Sequence, residues 1–348
     1  MSASAAGLKE LDPASAEWAA LAAGTPEATA FHHPAWTRAL ADAYGHRSTV
    51  LALLGAGGRV DAAAVLARVR RPRQSAWVAL PFADHCPVLA RDAGSRDRFA
   101  DCLAAWGARQ GVPVEVRGGI PVMPGWPEAT IAVRHVLPLD GDATAQRARI
   151  HATHAKRLRQ AEGRGLGVRL GRSKADVADF YRLHVATRRR LGVPVQPRAF
   201  FEAIWRHLIA AGLGIVALAE PPGGPPVAGA VVLAWNRTAI MKFQASDAAA
   251  WRFRPNHLVY WTAIRWAAEA GNLRFDLGRT DAGDDGLLQW KAGWGAEGIP
   301  LRYSRTAGPA AAGAGGEGPL AAAMRHVIRR SPAFVCRGLG ALLYRYAA

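Results

Sequence analysis

The chain has 348 residues, half of them hydrophobic, and a formal net charge of +17 at neutral pH. That length suits two domains of roughly 150 residues each, and the apolar content is enough to bury a core in both, which excludes a disordered or collagen-like chain. So positive a field draws polyanions: nucleic acid, anionic lipid and phosphate-bearing small molecules all qualify as partners.

The first residues, "MSASAAGLKELDPASAEW", hold no basic stretch followed by an apolar one, so no secretion signal is expected. Apolar runs stay short of the ~20 residues needed to span a bilayer. Cys86, Cys102 and Cys336 form no CxxC pair, which points to free thiols in a reducing compartment and to no zinc site. A cytosolic protein without a metal is the expectation.

In chain order, "FHHPAWTRALADAYG" predicts an amphipathic helix, with Trp36, Leu40 and Tyr44 at four-residue spacing. "TVLALLGAGGRVDAAAVLARV" predicts a hairpin around a Gly-rich turn. A strand in "AWVALPF", a helix in "RDRFADCLAAWGARQG" and a strand in "PVEVRG" follow. A basic helix is then expected over Ala143 to Glu162, stopped by Gly163 and Gly165.

From Phe180 the same order returns. "FYRLHVATRRRLG" and "RAFFEAIWRHLIAAG" predict helices, "GIVALAEPPGGPPVAGAVVLAWN" a second hairpin, and "AIMKFQASD" a strand. "PNHLVYWTAIRWAAEAG" predicts a helix and "LRFDLG" a strand, from Leu273 to Leu277 at its core. Helix, hairpin, strand, helix, strand is therefore written twice, as in a mixed-sheet α/β domain that has been duplicated. A cleft between two such domains is where ligands usually bind.

The expected organisation is an N-terminal domain over residues 1–142, the basic helix over 143–165 and a second domain over 166–306. A Gly/Ala/Pro linker over 307–319 and a basic tail over 320–348 complete it. In the tail Arg325, Arg329, Arg330, Arg337 and Arg345 interrupt apolar residues. Two readings stand: a helix packed on the second domain, broken by Pro332, or an amphipathic segment resting on an anionic membrane surface, the inner face of the cell membrane.

"FHHPAW", "ATRRRLGVPVQPRAFF", "ASDAAAWRFRPNHLVYWTAIRWAAEAG" and "FDLGRTDAGDDGLLQWKAGWGAE" together resemble the FemABX-like branch of the GNAT acyltransferase superfamily, over roughly residues 28 to 305. The resemblance implies two GNAT-like domains packed side by side. It also implies acyl transfer to an amine. The best-understood members take an aminoacyl group from a charged tRNA to an amine on a peptidoglycan precursor, and other relatives use acyl-CoA. The nearest branch is associated with exopolysaccharide and protein-sorting gene clusters.

The residues bear on the donor. A CoA-using GNAT domain sets a glycine-rich turn between a strand and a helix N-terminus, where backbone N–H groups cradle the pyrophosphate. Here the second junction, "ASDAAAWRFRPNHL", has no glycine, and the first, "LPFADHCPVLARDAGSRDRF", has Gly94 alone. Without glycines the backbone approaches a pyrophosphate poorly, although Arg252 and Arg254 could supply phosphate contacts instead. The basic residues suit a tRNA: Lys156, Arg157 and Arg159 on the middle helix, and Arg189 in the triplet Arg188–Arg190, of which at least one should point inward. A solvated helix face is the plainer reading of the same run.

Acyl transfer needs a base for the amine and a donor aimed at the oxyanion. By the resemblance Lys291, between Trp290 and Trp294, fills the second role; otherwise it lies along two exposed rings as a surface cation–π contact. Asp276, Arg279, Thr280 and Asp281 gather at a strand end, with Arg279 suited to a carboxylate or phosphate and Asp281 to anchoring the next turn. Asp276 is equally a candidate buried partner of Arg279. Arg254 and Asn256 flank Pro255 at a helix start, Arg254 as an anion ligand and Asn256 as a substrate contact or a simple helix N-terminal residue. Asp84 or His85, in "PFADHCPVL", could take the amine proton. The related enzymes carry Gly-Pro and then an acid in this region, where this chain has Cys86-Pro87 and Ala90, with Asp92 two residues on. His32 and His33 are assigned to the first amphipathic helix and not to catalysis. The candidate acceptors of aminoacyl-tRNA transfer are a peptidoglycan precursor, an exopolysaccharide sugar amine and a specialised metabolite. Acyl-CoA-dependent N- or O-acylation and a non-catalytic scaffold that holds a glycan or lipid precursor are the alternatives compatible with the altered motifs.

Overall fold

The computed structural model describes residues 7–70, 75–118, 120–121, 125–306, 319–344 and 346. Its described residues divide into two compact units: those within 7–133, with 300–306 and 346, form the first, and 134–299 with 319–344 the second. The expected linker at 307–319 lies almost wholly outside the described residues.

In chain order the first unit contains β1 (Leu8–Leu11), α1 (Ala16–Gly24), α2 (Pro34–Tyr44), β2 (Ser48–Leu54), β3 (Val60–Val69), β4 (Ala76–Val78), β5 (Leu89–Ala90), α3 (Ala93–Ala108) and β6 (Val114–Val116). Strand β7 (Glu128–Pro138) carries the chain into the second unit. There follow α4 (Ala143–Ala148), α5 (Ala152–Glu162), β8 (Gly167–Gly171), α6 (Lys174–Leu191), α7 (Arg198–Ile204), β9 (Gly214–Glu220), β10 (Ala228–Trp235), β11 (Thr238–Ser246), α8 (Pro255–Glu269), β12 (Arg274–Thr280) and α9 (Asp285–Ala292). Strand β13 (Glu297–Arg305) returns to the first unit, and α10 (Pro319–Arg330) and α11 (Ala333–Leu343) close the second.

The first unit orders its strands β1-β2-β3-β4-β6-β13, antiparallel except for the parallel pair β4–β6. Helix α3 covers the sheet with Phe99, Leu103 and Trp106, which pack with Leu51, Leu66 and Val116. Asp92 caps that helix, accepting from the Ser95 N–H at 2.7 Å, and this bond holds its carboxyl below the usual range. Its place is structural, so it does not stand in for the acid missing at Ala90.

The second unit orders its strands β12-β11-β10-β9-β8 and has one parallel pair, β11–β12. Its core joins Val232, Met241 and Phe275 of the sheet to Val259, Ile264 and Ala267 of α8 and Leu158 of α5. A full capping box starts α6: Asp176 N–H donates to Ser173 Oγ at 3.1 Å, and Ser173 N–H donates back to Asp176 Oδ2 at 2.8 Å. Gly192, at φ 74, ends it. No helix among the described residues is long and apolar enough to cross a membrane.

Both expected hairpins are present as β2–β3 and β9–β10, and each is followed by strand, helix and strand. Three expectations are corrected. The single basic helix is two, α4 and α5, because the chain turns at Arg149–His151 and the His151 N–H donates to Gly293 O at 3.0 Å. The strand in "AWVALPF" stops at Val78, since Leu80 and Phe82 adopt positive φ of 45° and 60°. The strand begun near Leu273 runs on to Thr280 and takes in Gly278 and Arg279.

That strained Leu80–Cys86 loop is held from within the first unit. Arg117 Nη1 donates to Leu80 O at 3.1 Å and to Ala83 O at 2.7 Å, and Tyr303 Oη donates to Asp84 O at 2.7 Å. The same guanidinium pairs with buried Glu115 at 2.9 Å, and Arg305 pairs with Glu115 as well. Burial alone would raise the Glu115 pKa, but the two arginines more than offset it and hold the carboxyl below its usual 4.5. Stability from this pair is therefore complete above pH ~4.5 and is lost as pH falls through the depressed value. Arg117→Met should cost about 3 kcal/mol or more in urea unfolding, because a buried carboxylate loses one of its two arginine partners. A change within ±0.5 kcal/mol, the range of an ordinary surface site, would show that the cluster contributes nothing.

Candidate active site

In the second unit the polypeptide leaves β12, makes a short turn and enters α9. Asp284 caps this helix, accepting from the Leu287 N–H at 3.1 Å. Lys291 stands in its last turn, and its side chain reaches back to the strand end. The ammonium donates to Gly278 O at 2.9 Å and to Arg279 O at 2.8 Å, with the residue 4% exposed. Lys291 is therefore not a surface lysine lying on exposed rings.

Gly278 makes this geometry available. Its φ of 75° is costly for any residue with a Cβ. Its N–H donates to Asp276 Oδ1 at 2.7 Å while its carbonyl accepts from Lys291. Asp276 is buried, with its other oxygen 3.8 Å from Arg134 Nε on β7. The next residue, His135, is buried and its pKa is pushed down to about 4, first by burial and then by the charge of Lys291. A carboxylate, a guanidinium, an ammonium and a neutral imidazole thus cluster at the end of β12.

Beside them lies a nest of rings. Trp290 stands 4.5 Å from His257 and 4.8 Å from His154, centroid to centroid, and the two imidazoles are 5.4 Å apart. Trp294, fully buried, stacks on Tyr260 at 5.6 Å. A Cβ on Gly293 would lie 2.5 Å from His154 Cε1, so glycine there lets the imidazole sit against the end of α9. Burial and the neighbouring positive groups push the His257 pKa down to about 3, and His154 is lowered for the same reasons. Both rings are neutral at physiological pH.

Several buried polar atoms here have no hydrogen-bond partner among the described residues. They are both ring nitrogens of His257, His154 Nε2, Trp294 Nε1, Thr280 Oγ1, Arg254 Nε and Asn256 Oδ1. Buried polar groups are nearly always paired, so these atoms are candidate contacts for a polar ligand.

The sequence candidates fall into groups. Thr280, Trp290, Trp294 and Lys291 belong to this region, and Arg279 ion-pairs with Asp281. Asp276 pairs with Arg134, a partner that the sequence did not indicate. The cap of α9 is Asp284, while Asp281 holds Arg279. Arg254, at a left-handed φ of 56°, opens α8, and Asn256 Nδ2 donates to Ser246 Oγ at 3.4 Å. Of the basic group, Lys156, Arg159 and Arg189 are exposed, whereas Arg157 is half-buried and its charge bears on both His154 and His257. The inward member of the arginine triplet is Arg188, bonded to Pro194 O at 2.9 Å. Asp84 and His85 lie half-buried in the first unit, where a Cβ on Gly118 would stand 2.8 Å from His85 Nε2. His33 caps α2, and buried His32 faces Pro87 O, so both are structural.

Residues 147–292 match the family model of the acetyltransferase (GNAT) domain, a span that ends one residue beyond Lys291. The chain carries a GNAT acyltransferase domain. Its fold is that of FemX, with a TM-score of 0.70 at 15% identity, covering 85% of this chain and 96% of FemX. L-PGS from Bacillus licheniformis matches with a TM-score of 0.53 at 11% identity, over 91% of this chain and 96% of that one. The C-terminal DUF2156 domain of an Agrobacterium fabrum protein assigned as a lysylphosphatidylglycerol synthetase gives 0.53 at 16%, over 83% and 91%. No curated protein matches the chain in sequence. The fold likeness to FemX, which covers 85% of the chain, supports the two-domain architecture expected from the repeated element order.

Sequence reasoning passed over Arg134, His135, His154 and His257. One signal was available: His154, Leu158 and Ala161 follow a helical spacing that turns the histidine inward on an otherwise basic helix. Because His135, His184 and His257 carry lowered pKa values, the second unit should lose stability as pH falls below 6.5, where the unfolded chain takes up protons that the folded one refuses. The loss should continue to about pH 3 and reach several kcal/mol, since each tenfold weakening of proton affinity at one imidazole is worth roughly 1.4 kcal/mol. Imidazole NMR resonances for His257 that titrate near pH 6.5 would contradict this.

Proposed function

We propose that this GNAT acyltransferase forms an amide on an amine-bearing acceptor, with aminoacyl-tRNA as the acyl donor. The observation that carries the reading is the buried Lys291 ammonium, fixed by two carbonyls at the end of β12. A positive charge held in place away from water stabilises an oxyanion as it forms and needs no reorganisation during the reaction. The acyl carbon, attacked by the amine, becomes tetrahedral with Lys291 as the electrostatic partner of its oxygen. As the C–N bond forms, the ester C–O bond to the tRNA ribose breaks, and the amine proton passes to the departing oxygen, which leaves as the tRNA hydroxyl.

The donor preference rests on the β11–α8 junction. A 3₁₀ turn over Ala248–Phe253 fills it, Pro255 at the first helical position has no N–H, and the His257 N–H is engaged with Arg254 O at 3.1 Å. A helix start with its amides so depleted is a poor cradle for the pyrophosphate of CoA. Arg254, Arg279, Asn256, Thr280 and Trp294 offer side-chain contacts to the aminoacyl end instead. Arg157, with Lys156, Arg159 and Arg189, supplies charge for the nucleic acid backbone. Two of the fold neighbours bear the name of a lysylphosphatidylglycerol synthetase or its abbreviation, and FemX is the third. The acceptor is assigned to cell-envelope chemistry: a peptidoglycan or exopolysaccharide precursor bearing an amine. The reaction is assigned to the cytoplasm.

A direct test supplies tRNA charged with radiolabelled amino acids, together with an amine-containing extract of cell-envelope precursors. Label should pass into an amide, and ribonuclease should abolish the transfer. Release of free thiol from acyl-CoA alongside ribonuclease-insensitive amide formation would overturn the donor assignment.

A further inference from the structure

The C-terminal pair α10 and α11 presents two unlike faces. The inner face docks on the end of α6: Ile328, Cys336 and Gly340 are buried, and Arg188 Nη2 donates to Tyr344 Oη at 2.6 Å. Gly192 permits the approach, since a Cβ there would lie 2.8 Å from Arg325 O. The tail is therefore packed on the second unit, as one sequence reading expected.

The outer face is a different matter. Among the described residues the three most exposed large apolar side chains are Phe334 at 67%, Leu342 at 59% and Val327 at 52%, and all three belong to this helix pair. Met324 and Leu343 of the same helices are exposed as well. On α11, Phe334, Gly338, Ala341 and Leu342 repeat at helical spacing and are exposed, so the apolar residues form a stripe along one face. Arg329, Arg330 and Arg337 are exposed on the same two helices. No aspartate or glutamate occurs anywhere between Pro319 and Ala348. An apolar stripe with arginine as its sole kind of fixed charge complements one surface in both respects, a bilayer rich in anionic headgroups, where the rings and methyls enter the acyl boundary and the guanidinium groups stay among phosphates.

We infer that the outer face of α10–α11 is a docking element for anionic lipid membrane, which Phe334, Val327 and Leu342 penetrate and the arginines hold. This inference is independent of the acyl-transfer reading, because lipid binding is measured without turnover and either can fail alone.

The full chain should be sedimented with phosphatidylcholine vesicles and with vesicles containing about one-third phosphatidylglycerol, in salt of about 0.1 M and about 0.5 M. Binding is expected to the anionic vesicles alone and to weaken at the higher salt. Phe334→Ser combined with Leu342→Ser should lower vesicle affinity at least about tenfold. Arg330→Gln and Arg337→Gln should each lower it roughly fivefold. These side chains are exposed, and an unchanged thermal melt verifies that each variant is folded. Absence of binding to anionic vesicles, or binding indifferent to lipid charge and to both sets of variants, would overturn the inference. So would a concentration-dependent dimer abolished by Phe334→Ser in a protein that ignores vesicles, which would assign the face to a second copy of the chain.

Discussion

A lysine ammonium taken out of water has to recover its solvation from the protein, and at Lys291 the backbone carbonyls of Gly278 and Arg279 supply much of it. The rest of the site follows from that constraint. The carbonyl of Gly278 can face the helix only because glycine accepts φ 75° there. The turned peptide then offers its N–H to Asp276, and Asp276 in turn sits against Arg134. Charge, backbone turn and counter-charge therefore form one connected arrangement that holds the lysine in position. Burial lowers the pKa of His135, and the same lysine charge lowers it further.

The ring nest extends this logic. Packing alone would favour apolar side chains where His154 and His257 stand, and burial with nearby positive groups keeps both neutral. A neutral imidazole offers one donor and one acceptor without adding charge beside an ammonium. Under the proposed acyl transfer, that combination would serve recognition of an acyl group bearing an amine or hydroxyl, with charge stabilisation left to Lys291. In the first unit buried charge has another use: Glu115, Arg117 and Arg305 neutralise one another and pin a loop whose two positive-φ residues would otherwise relax.

Much of the fold was legible because it depends on local patterns. Two hairpins with glycine-rich turns, each followed by strand, helix and strand, can be read from periodicity and turn chemistry. The stretch from Phe275 to Glu297 also showed its character, since tryptophans beside a lysine and glycines at a strand end suit neither a surface loop nor a plain core. What stayed hidden depends on contacts distant in sequence. Arg134 meets Asp276 and His154 meets Trp290 across more than a hundred residues, and no local spacing encodes such pairs. The break between α4 and α5 was likewise invisible, because Gly293, which bonds to His151 across it, lies far along the chain. Of the two readings of the tail, the packed helix is present, since Ile328, Cys336 and Gly340 are buried, while Phe334, Leu342 and Val327 stay exposed.

The most direct measurement of the central claim is the single-turnover rate of amide formation by Lys291→Met, compared with the unaltered protein, in preparations matched for far-ultraviolet circular dichroism and for donor binding. If the fixed ammonium steadies the developing oxyanion, the rate should fall by about a hundredfold to a thousandfold with donor affinity little changed. A rate within a few fold of the unaltered protein would contradict the account and reduce Lys291 to a clamp on the end of β12.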